Sequence, residues 1–264
     1  MMLKDKNKLL RDDDITMDVP AHIYTIKGEE YKGSVSTFLK EFFDKFNMKD
    51  AILAILKSKK INDPSYEYYG MNEKDIINHW DSGRNLGTEL HAYIEDYFNN
   101  IGELHNITKT ENLKINKIIE YRYFYNFLID HSNLTPYRSE LMIYHEKLKL
   151  VGSVDMLYIK PNGHMICMDW KRSKRIDTTS FGNKCSKFPG IEHIPDCNYY
   201  HYSFQLNIYK FILETEYNMI IDEMYMVVFH PNNSNYLKYP IINMSYEMNI
   251  IMRDRWNKIY NSVK

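Results

Sequence analysis

Three consecutive segments with the composition of β-strands stand in the middle of the sequence, between regions of helical periodicity. They cover Tyr137–Tyr144, Lys147–Ile159 and His164–Lys171, and Pro-Asn-Gly at 161–163 predicts a turn between the last two. Strands joined by a short turn pair antiparallel. The segments therefore predict a hairpin within a sheet, around which the rest of the chain must pack.

Apolar residues recur at helical spacing on both sides of these strands. The predicted helices begin near Thr37 and then cover Asp50–Lys57, Asn72–Trp80, Leu86–Asn99, Leu113–Ile129, Tyr202–Glu216 and Ser245–Val263. The other predicted elements are a hairpin over His22–Tyr31, a long loop over Ile176–Tyr200, a strand over Glu223–Phe229 and an extended segment over Tyr236–Ile242. This order predicts an α/β (α+β) fold with a central mixed sheet flanked by helices and a helical N-terminal extension.

No linker or internal repeat divides the 264 residues. Residues 1–20 are expected to form a flexible tail, and residues 21–264 are expected to form a single domain. Residues 12–14 are all aspartate, which argues against a mitochondrial targeting sequence, and the N-terminus lacks the apolar stretch of a signal peptide.

Composition excludes several classes of function. The 34 basic and 35 acidic residues nearly balance, so the chain is not a generic polyanion binder and any nucleic-acid site must concentrate its positive charge locally. The three cysteines lack CxxC spacing, which indicates neither a disulfide framework nor a zinc site and favours a reducing, intracellular compartment. No apolar run approaches the ~18 residues of a membrane span, so no membrane association is expected.

Asp155, Asp169 and Lys171 carry the strongest chemical signal. Asp169 and Lys171 lie two residues apart on one predicted strand and share a face, and the hairpin can bring Asp155 beside them. Carboxylates are the ligands that hold Mg²⁺ or Mn²⁺ against a phosphate, and a lysine can stabilise the charge that develops there. A cross-strand ion pair between Asp155 and Lys171 is the structural alternative, and the tripeptide alone favours it.

An ordered set of motifs surrounds the tripeptide. In chain order the set comprises Ser34-Val35-Ser36, Gly87 with His91 and Glu95, Ser139-Glu140, Gly152-Ser153-Val154-Asp155, Asp169-Trp170-Lys171-Arg172-Ser173, and Gln205 with Tyr209. This order resembles the RecB-type and lambda-exonuclease-type branch of the PD-(D/E)XK nuclease superfamily, and within it the mitochondrial genome maintenance exonucleases and related nucleases of large DNA viruses. The resemblance covers residues 34–209, and the set is far more specific than any one motif.

The resemblance implies a restriction-endonuclease-like core and a metal-dependent active site. It makes Asp155, Asp169 and Lys171 catalytic. Glu140, on the strand before that of Asp155, either faces the site as a further catalytic candidate or caps a neighbouring amide. Asp155 and Asp169 would ligate Mg²⁺ or Mn²⁺ together with the backbone carbonyl of Trp170, and His91 would be an additional ligand.

Supporting roles are assigned to three further residues. Glu95 lies one helical turn from His91 and either orients it or forms a surface hydrogen bond. Gln205 and Tyr209 are also one turn apart and either support the catalytic strand or only pack there. The remaining candidates would contact phosphates and supply local positive charge; they are Ser34, Ser36, Arg172, Ser173, Lys174 and Arg175.

The resemblance implies a deoxyribonuclease, in particular an exonuclease on single-stranded ends or flaps in DNA replication, repair or recombination. No helicase motif is present, so unwinding would need a helicase or polymerase partner. A virus-encoded protein is compatible with the resemblance. Two alternatives stay open: a catalytically silent nuclease-fold module that binds nucleic acid or protein, and an RNA endonuclease that uses the same site.

Overall fold

The computed structural model describes residues 2–18, 21, 23–31, 33–101 and 117–261. Within these residues the α-helices are α1 (Leu3–Lys6), α2 (Val35–Leu39), α3 (Met48–Lys57), α4 (Glu73–Asp96), α5 (Ile119–Asp130), α6 (Asn198–Glu216) and α7 (Ser245–Asn261). The strands are β1 (Ile15–Asp18), β2 (Ile23–Ile26), β3 (Glu29–Tyr31), β4 (Thr135–His145), β5 (Leu150–Ile159), β6 (Met165–Lys171), β7 (Ile221–Val228) and β8 (Leu237–Pro240).

The central sheet has five strands in the order β4-β5-β6-β7-β8. Only the pairing of β6 with β7 is parallel, so the sheet is mixed, as expected from the sequence. The connection between β6 and β7 contains α6, which supplies the long crossover that a parallel pair requires. The predicted hairpin between β5 and β6 is present, with Gly163 in the left-handed region (φ 83°) of its turn.

Helices cover both faces of this sheet. Side chains alternate along β6, so Cys167 packs on the side of α2, α6 and α7, whereas Met168 and Trp170 pack on the side of α4 and α5. Trp170 is almost fully buried and makes edge-to-face contacts with Phe124 and Phe127 of α5. The Asp-Trp-Lys tripeptide therefore lies on a strand that packing fixes from both sides.

Helix α4 corrects the predicted division into two helices. It runs without a break over 24 residues and begins with a capping box between Asn72 and Asp75. The sequence around Gly83 predicts a boundary, but a helical glycine costs only about 1 kcal/mol relative to alanine. Helix α2 begins at Val35, just before the predicted start near Thr37, and ends at Leu39.

The sequence predicts a flexible tail at residues 1–20; where the structure describes this segment, it contains β1 and contacts β4. β1 pairs with β2 in a small three-stranded sheet, whose β2–β3 hairpin was predicted. Asp12 is buried and accepts two hydrogen bonds from Arg138 of β4, at 2.8 and 3.2 Å. Because these contacts are with residues far along the chain, local composition gave no sign of them.

The predicted helix over Leu113–Ile129 is described from its later part, as α5; residues 113–116 lie outside the described residues. Within the described ranges, no helix combines the length and the apolar character that crossing a membrane requires.

Candidate metal centre

A cleft of about 950 Å³ opens between α4, the middle of β4 and the end of β6. His91 and Glu95 line it from α4, and Glu140 lines it from β4. Lys171 and the residues that follow it line the opposite wall. The helix and the strands that carry the predicted site residues therefore meet at one concave surface, where ligand sites are commonly found.

His91, Glu140 and Asp155 form a group of potential metal ligands beside this cleft. Their ligand atoms all lie within 4.8 Å of one another. Nδ1 of His91 is 3.7 Å from a Glu140 carboxylate oxygen and 3.6 Å from Oδ2 of Asp155. One helix and two strands thus contribute to a single cluster, which joins three residues that the sequence places far apart.

Strand register brings Asp155 and Asp169 side by side. Met156 of β5 pairs with Met168 of β6, and each aspartate lies one residue beyond this pair on its own strand. The backbone N–H of Trp170 donates a hydrogen bond to Oδ2 of Asp155 at 2.8 Å. The Asp155 carboxylate is thereby held against β6, next to Asp169.

Asp169 is almost fully buried, and Lys171 lies over it. Nζ of Lys171 is 2.6 Å from Oδ2 of Asp169 and 5.0 Å from the ring centre of Tyr202 on α6. Oδ1 of Asp169 is buried and has no hydrogen-bond partner among the described residues. An unpartnered buried carboxylate oxygen is costly, so it marks a position where a cation would stabilise the protein.

The electrostatics of the cluster follow from burial and from the close carboxylates. Burial and the neighbouring Asp169 carboxylate raise the pKa of Asp155 to about 7. Burial lowers the pKa of His91, but the negative charges of Asp155 and Glu140 outweigh burial, and the pKa rises to about 9. The cluster thus concentrates negative charge that His91 and Lys171 only partly compensate.

Glu140 reaches the cluster through an unusual backbone conformation. It lies inside β4 with φ 44°, in the left-handed region that few residues other than glycine adopt. Ser153 of β5 donates a hydrogen bond to Oε2 of Glu140 at 2.9 Å and fixes the side chain. Backbone strain of this kind concentrates at functional sites, which supports a site role for Glu140.

Glu95 does not contact His91 in the arrangement expected from their spacing. The ring nitrogen of His91 lies instead beside Glu140 and Asp155. Glu95 lines the cleft and a second cavity of about 210 Å³ behind Glu140. Burial and the nearby Glu140 charge raise the pKa of Glu95. Its assigned role as the partner that orients His91 stays a prediction without a contact to support it.

Gln205 and Tyr209 lie on the face of α6 that packs against the strands of the site. Nε2 of Gln205 donates a hydrogen bond to the Tyr209 hydroxyl at 2.8 Å. The Tyr209 ring packs so closely on Gly152 of β5 that a Cβ at this position would lie 2.6 Å from Cε1 of the ring. Gly152 therefore permits α6 to approach the strand that carries Asp155.

The four residues after Lys171 all line the cleft, but the three charged ones are already paired with acidic side chains. Arg172 donates a hydrogen bond to Glu120 at 2.8 Å, and Arg175 donates one to Asp177 at 3.0 Å. The Ser173 hydroxyl donates to the carbonyl oxygen of Arg175 at 2.9 Å. Lys174 pairs with Glu67. The predicted basic segment therefore lines the cleft, and acidic side chains hold its charged groups in place.

Ser34 and Ser36 are not among the residues that line the cleft. The Ser34 hydroxyl caps α2 by accepting a hydrogen bond from the backbone N–H of Thr37, and it lies 2.9 Å from the Ser36 hydroxyl. A helix-capping role accounts for the Ser-Val-Ser segment, and a phosphate contact there stays a prediction.

Two residues of the cleft region were missed in the sequence. Glu120, in the first turn of α5, holds Arg172 from 52 positions away, and nothing local signals this. His230 lines the cleft and was assigned no role. Burial and the charges of Arg172 and Lys174 lower its pKa. Its position just after β7, which pairs parallel with β6, was a usable signal, because parallel strands end at the same edge.

The donor set fits a divalent cation. Asp155, Asp169 and Glu140 offer carboxylate oxygens, which suit Mg²⁺ and Mn²⁺, and His91 offers an imidazole nitrogen. Asp169 is not part of the group within 4.8 Å, but its unpartnered Oδ1 is the buried polar atom that a cation would satisfy. The backbone N–H of Trp170 donates to Asp155, and ligation of a cation by the Trp170 carbonyl stays a prediction.

No family model matches this sequence, and no curated protein matches it. Among solved structures, the crystal structure of SSO0001 is similar to this chain with a TM-score of 0.33 and 13% sequence identity. The likeness covers 87% of this chain and 76% of that chain. Similarity at this level carries no argument about fold family or function.

Proposed function

We propose that this protein is a metal-dependent nuclease with a PD-(D/E)XK-type core that hydrolyses DNA phosphodiester bonds with Mg²⁺ or Mn²⁺. One observation carries the proposal. The His91–Glu140–Asp155 group and the buried Asp169–Lys171 pair, from four separate elements, lie together beside one cleft. A purely structural Asp169–Lys171 ion pair gives no reason for two further carboxylates and an imidazole to cluster around it.

The side chains divide the work of hydrolysis between them. A bound divalent cation would polarise a phosphate oxygen and lower the pKa of a water molecule. Asp155, Asp169 and Glu140 would hold that cation, with His91 as a further donor. Lys171, fixed between Asp169 and Tyr202, carries its ammonium group at the site and can donate hydrogen bonds to the oxygen on which negative charge develops.

The cleft supports a nucleic acid as substrate. Arg172, Lys174 and Arg175 follow Lys171 directly and line one wall, so they can contact phosphates near the scissile bond. Tyr68 and Trp80 line the cleft farther out and offer aromatic faces to unpaired bases. These features suit a nucleic acid. The resemblance of the motif set, rather than the cleft, is the ground for proposing an exonuclease on single-stranded ends or flaps in DNA replication, repair or recombination, working beside a helicase or polymerase.

The test is cleavage of end-labelled single-stranded, duplex and flapped DNA, and of matching RNA, in Mg²⁺ or Mn²⁺. The wild-type protein is compared with Lys171→Ala and Asp155→Asn. Lys57→Ala serves as the matched control, because Lys57 is exposed on α3 and outside the cleft. We expect metal-dependent cleavage by the wild type and the control, and a loss of about 100-fold or more in the two site variants.

The product pattern separates the alternatives. A ladder from one end identifies an exonuclease and its polarity, and preferential cleavage of RNA identifies the RNA endonuclease alternative. Equal cleavage by all four proteins would refute the catalytic assignment. Binding of the oligonucleotides without cleavage under any condition would favour a catalytically silent module.

A further inference from the structure

Three side chains converge at the mouth of the cleft, at a distance from the metal-ligand group. Oε1 of Glu67 lies 2.6 Å from Nε2 of His79 on α4. The same oxygen contacts Nζ of Lys174, which follows the strand of Asp169 and Lys171 on the opposite wall. All three residues line the cleft. One carboxylate oxygen therefore receives two donors that come from the two sides of the entrance.

Glu67 is held in this position by an ordered loop. Its neighbour Tyr68 accepts a hydrogen bond from the Trp80 side chain at 3.1 Å and packs edge-to-face on His79, with ring centres 5.7 Å apart. Gly70, with φ 68°, turns the chain and donates a backbone hydrogen bond to Ile61. The contact between Glu67 and Lys174 joins this loop to a segment 107 residues later and so bridges the cleft entrance.

A histidine and a lysine that donate to one oxygen form the arrangement that also receives a phosphate oxygen. The three side chains are partly exposed, so solvent and ligands can reach them. An exposed ion pair of this kind is weak, and a backbone phosphate can compete for both donors. Lys174 also stands three residues after Lys171, on the path from the metal-ligand group to the entrance.

We propose that His79 and Lys174 form a phosphate-binding subsite at the mouth of the cleft, which the Glu67 carboxylate occupies until a phosphate of the nucleic-acid backbone displaces it. This inference rests on the proposed nuclease function. In the free protein the Glu67 carboxylate spans the entrance between its two walls. Its negative charge repels a nucleic acid until a phosphate replaces it as the partner of His79 and Lys174.

The experiment measures binding of a fluorescent oligothymidylate by anisotropy in EDTA, between 50 and 300 mM NaCl. The variants are Glu67→Gln, His79→Ala, Lys174→Ala and the double variant Glu67→Gln/Lys174→Ala. Glu89→Gln is the control, because Glu89 is exposed on the same helix as His79 but does not line the cleft. Circular dichroism and thermal unfolding check that each variant is folded.

Removal of the Glu67 carboxylate should strengthen binding of the oligothymidylate. We expect Glu67→Gln to bind about 1.5- to 5-fold more tightly than the wild type at low salt, which corresponds to the free energy of one exposed ion pair. In Lys174→Ala the slope of log K against log salt should become shallower by about 0.7, the value for one lost phosphate contact on a single strand. His79→Ala and Lys174→Ala should bind more weakly, and the double variant should lose the gain.

Several results would overturn the inference. Equal or weaker binding by folded Glu67→Gln would mean that the carboxylate does not compete with the ligand. An equal gain of affinity in Glu89→Gln would show that the gain comes from the change in net charge. If the wild type cuts DNA but Glu67→Gln gains no affinity, the subsite fails and the nuclease function stands. If no protein in the set binds or cuts nucleic acid, both proposals fail.

Discussion

The substitution Gly152→Ala tests the close packing of α6 on the strand that carries Asp155. The added Cβ would lie 2.6 Å from Cε1 and 3.2 Å from Cζ of Tyr209, whereas ordinary contacts lie at 3.4–4 Å. The ring must therefore move by about 1 Å, and it is buried with its hydroxyl bonded to Gln205. Overpacking of this kind costs about 1–3 kcal/mol of unfolding free energy.

The assay is urea unfolding of the metal-free protein, in a double-mutant cycle with Tyr209→Leu. The backbone at Gly152 is not in the left-handed region, so without the clash an alanine there should be neutral or should stabilise by about 0.4–1 kcal/mol. Gly152→Ala should thus destabilise the wild type and not the Tyr209→Leu background. Gly83→Ala is the matched control, because a Cβ at Gly83 of α4 would meet no atom within 4 Å and alanine should stabilise the helix by about 0.5–1 kcal/mol.

Two outcomes would refute this reasoning. Gly152→Ala could unfold at the wild-type urea concentration, which would mean that Tyr209 has room to move. Alternatively, the cost of Gly152→Ala could be the same in both backgrounds, which would assign it to something other than the Tyr209 ring, since independent effects add.

Three further predictions concern the metal centre and the N-terminal segment. Mn²⁺ at 100 times its Kd should stabilise the wild type by about 2.7 kcal/mol in thermal unfolding and EDTA should reverse this, while Asp155→Asn should show no shift; a full shift in that variant contradicts the ligand assignment. Ser153→Ala removes the hydrogen bond that fixes Glu140 and should weaken Mn²⁺ binding about 10-fold or more by calorimetry, whereas unchanged affinity would place Glu140 outside the ligand set. Arg138→Ala leaves the buried Asp12 carboxylate without its partner and should cost about 3–5 kcal/mol in urea unfolding; a loss below about 1 kcal/mol would show that the N-terminal segment is not docked in solution.

Local patterns predicted the parts of the fold that local forces determine. The helix start at Asn72, the β2–β3 hairpin and the turn at Gly163 each depend on a few neighbouring residues, and all three are present. The predicted division of α4 is wrong because the local cost at Gly83 is small beside the packing of the helix as a whole. Burial of Asp12 depends on Arg138, 126 residues away, which no window of sequence can reveal.

The candidate site likewise contains residues that local patterns predict and residues whose positions depend on tertiary packing. Strand alternation placed Asp169 and Lys171 together, and the turn between β5 and β6 brought Asp155 beside them. The left-handed conformation of Glu140 and its hydrogen bond from Ser153 could not be predicted, because they depend on the shape of β4 in the folded sheet. The same holds for Glu120, which reaches Arg172 only through the packing of α5.

The continuity of α4 also gives the cleft a fixed length. His79 at the entrance and His91 at the metal-ligand group stand twelve residues apart on this one helix, and a rise of 1.5 Å per residue separates them by about 18 Å. A strand with the ~3.4 Å rise of duplex DNA spans that distance with about five nucleotides. The length of α4 therefore sets the shortest strand that can contact both positions, and shorter oligonucleotides reach only one of them. The last few nucleotides of a digested strand should accordingly be released uncut.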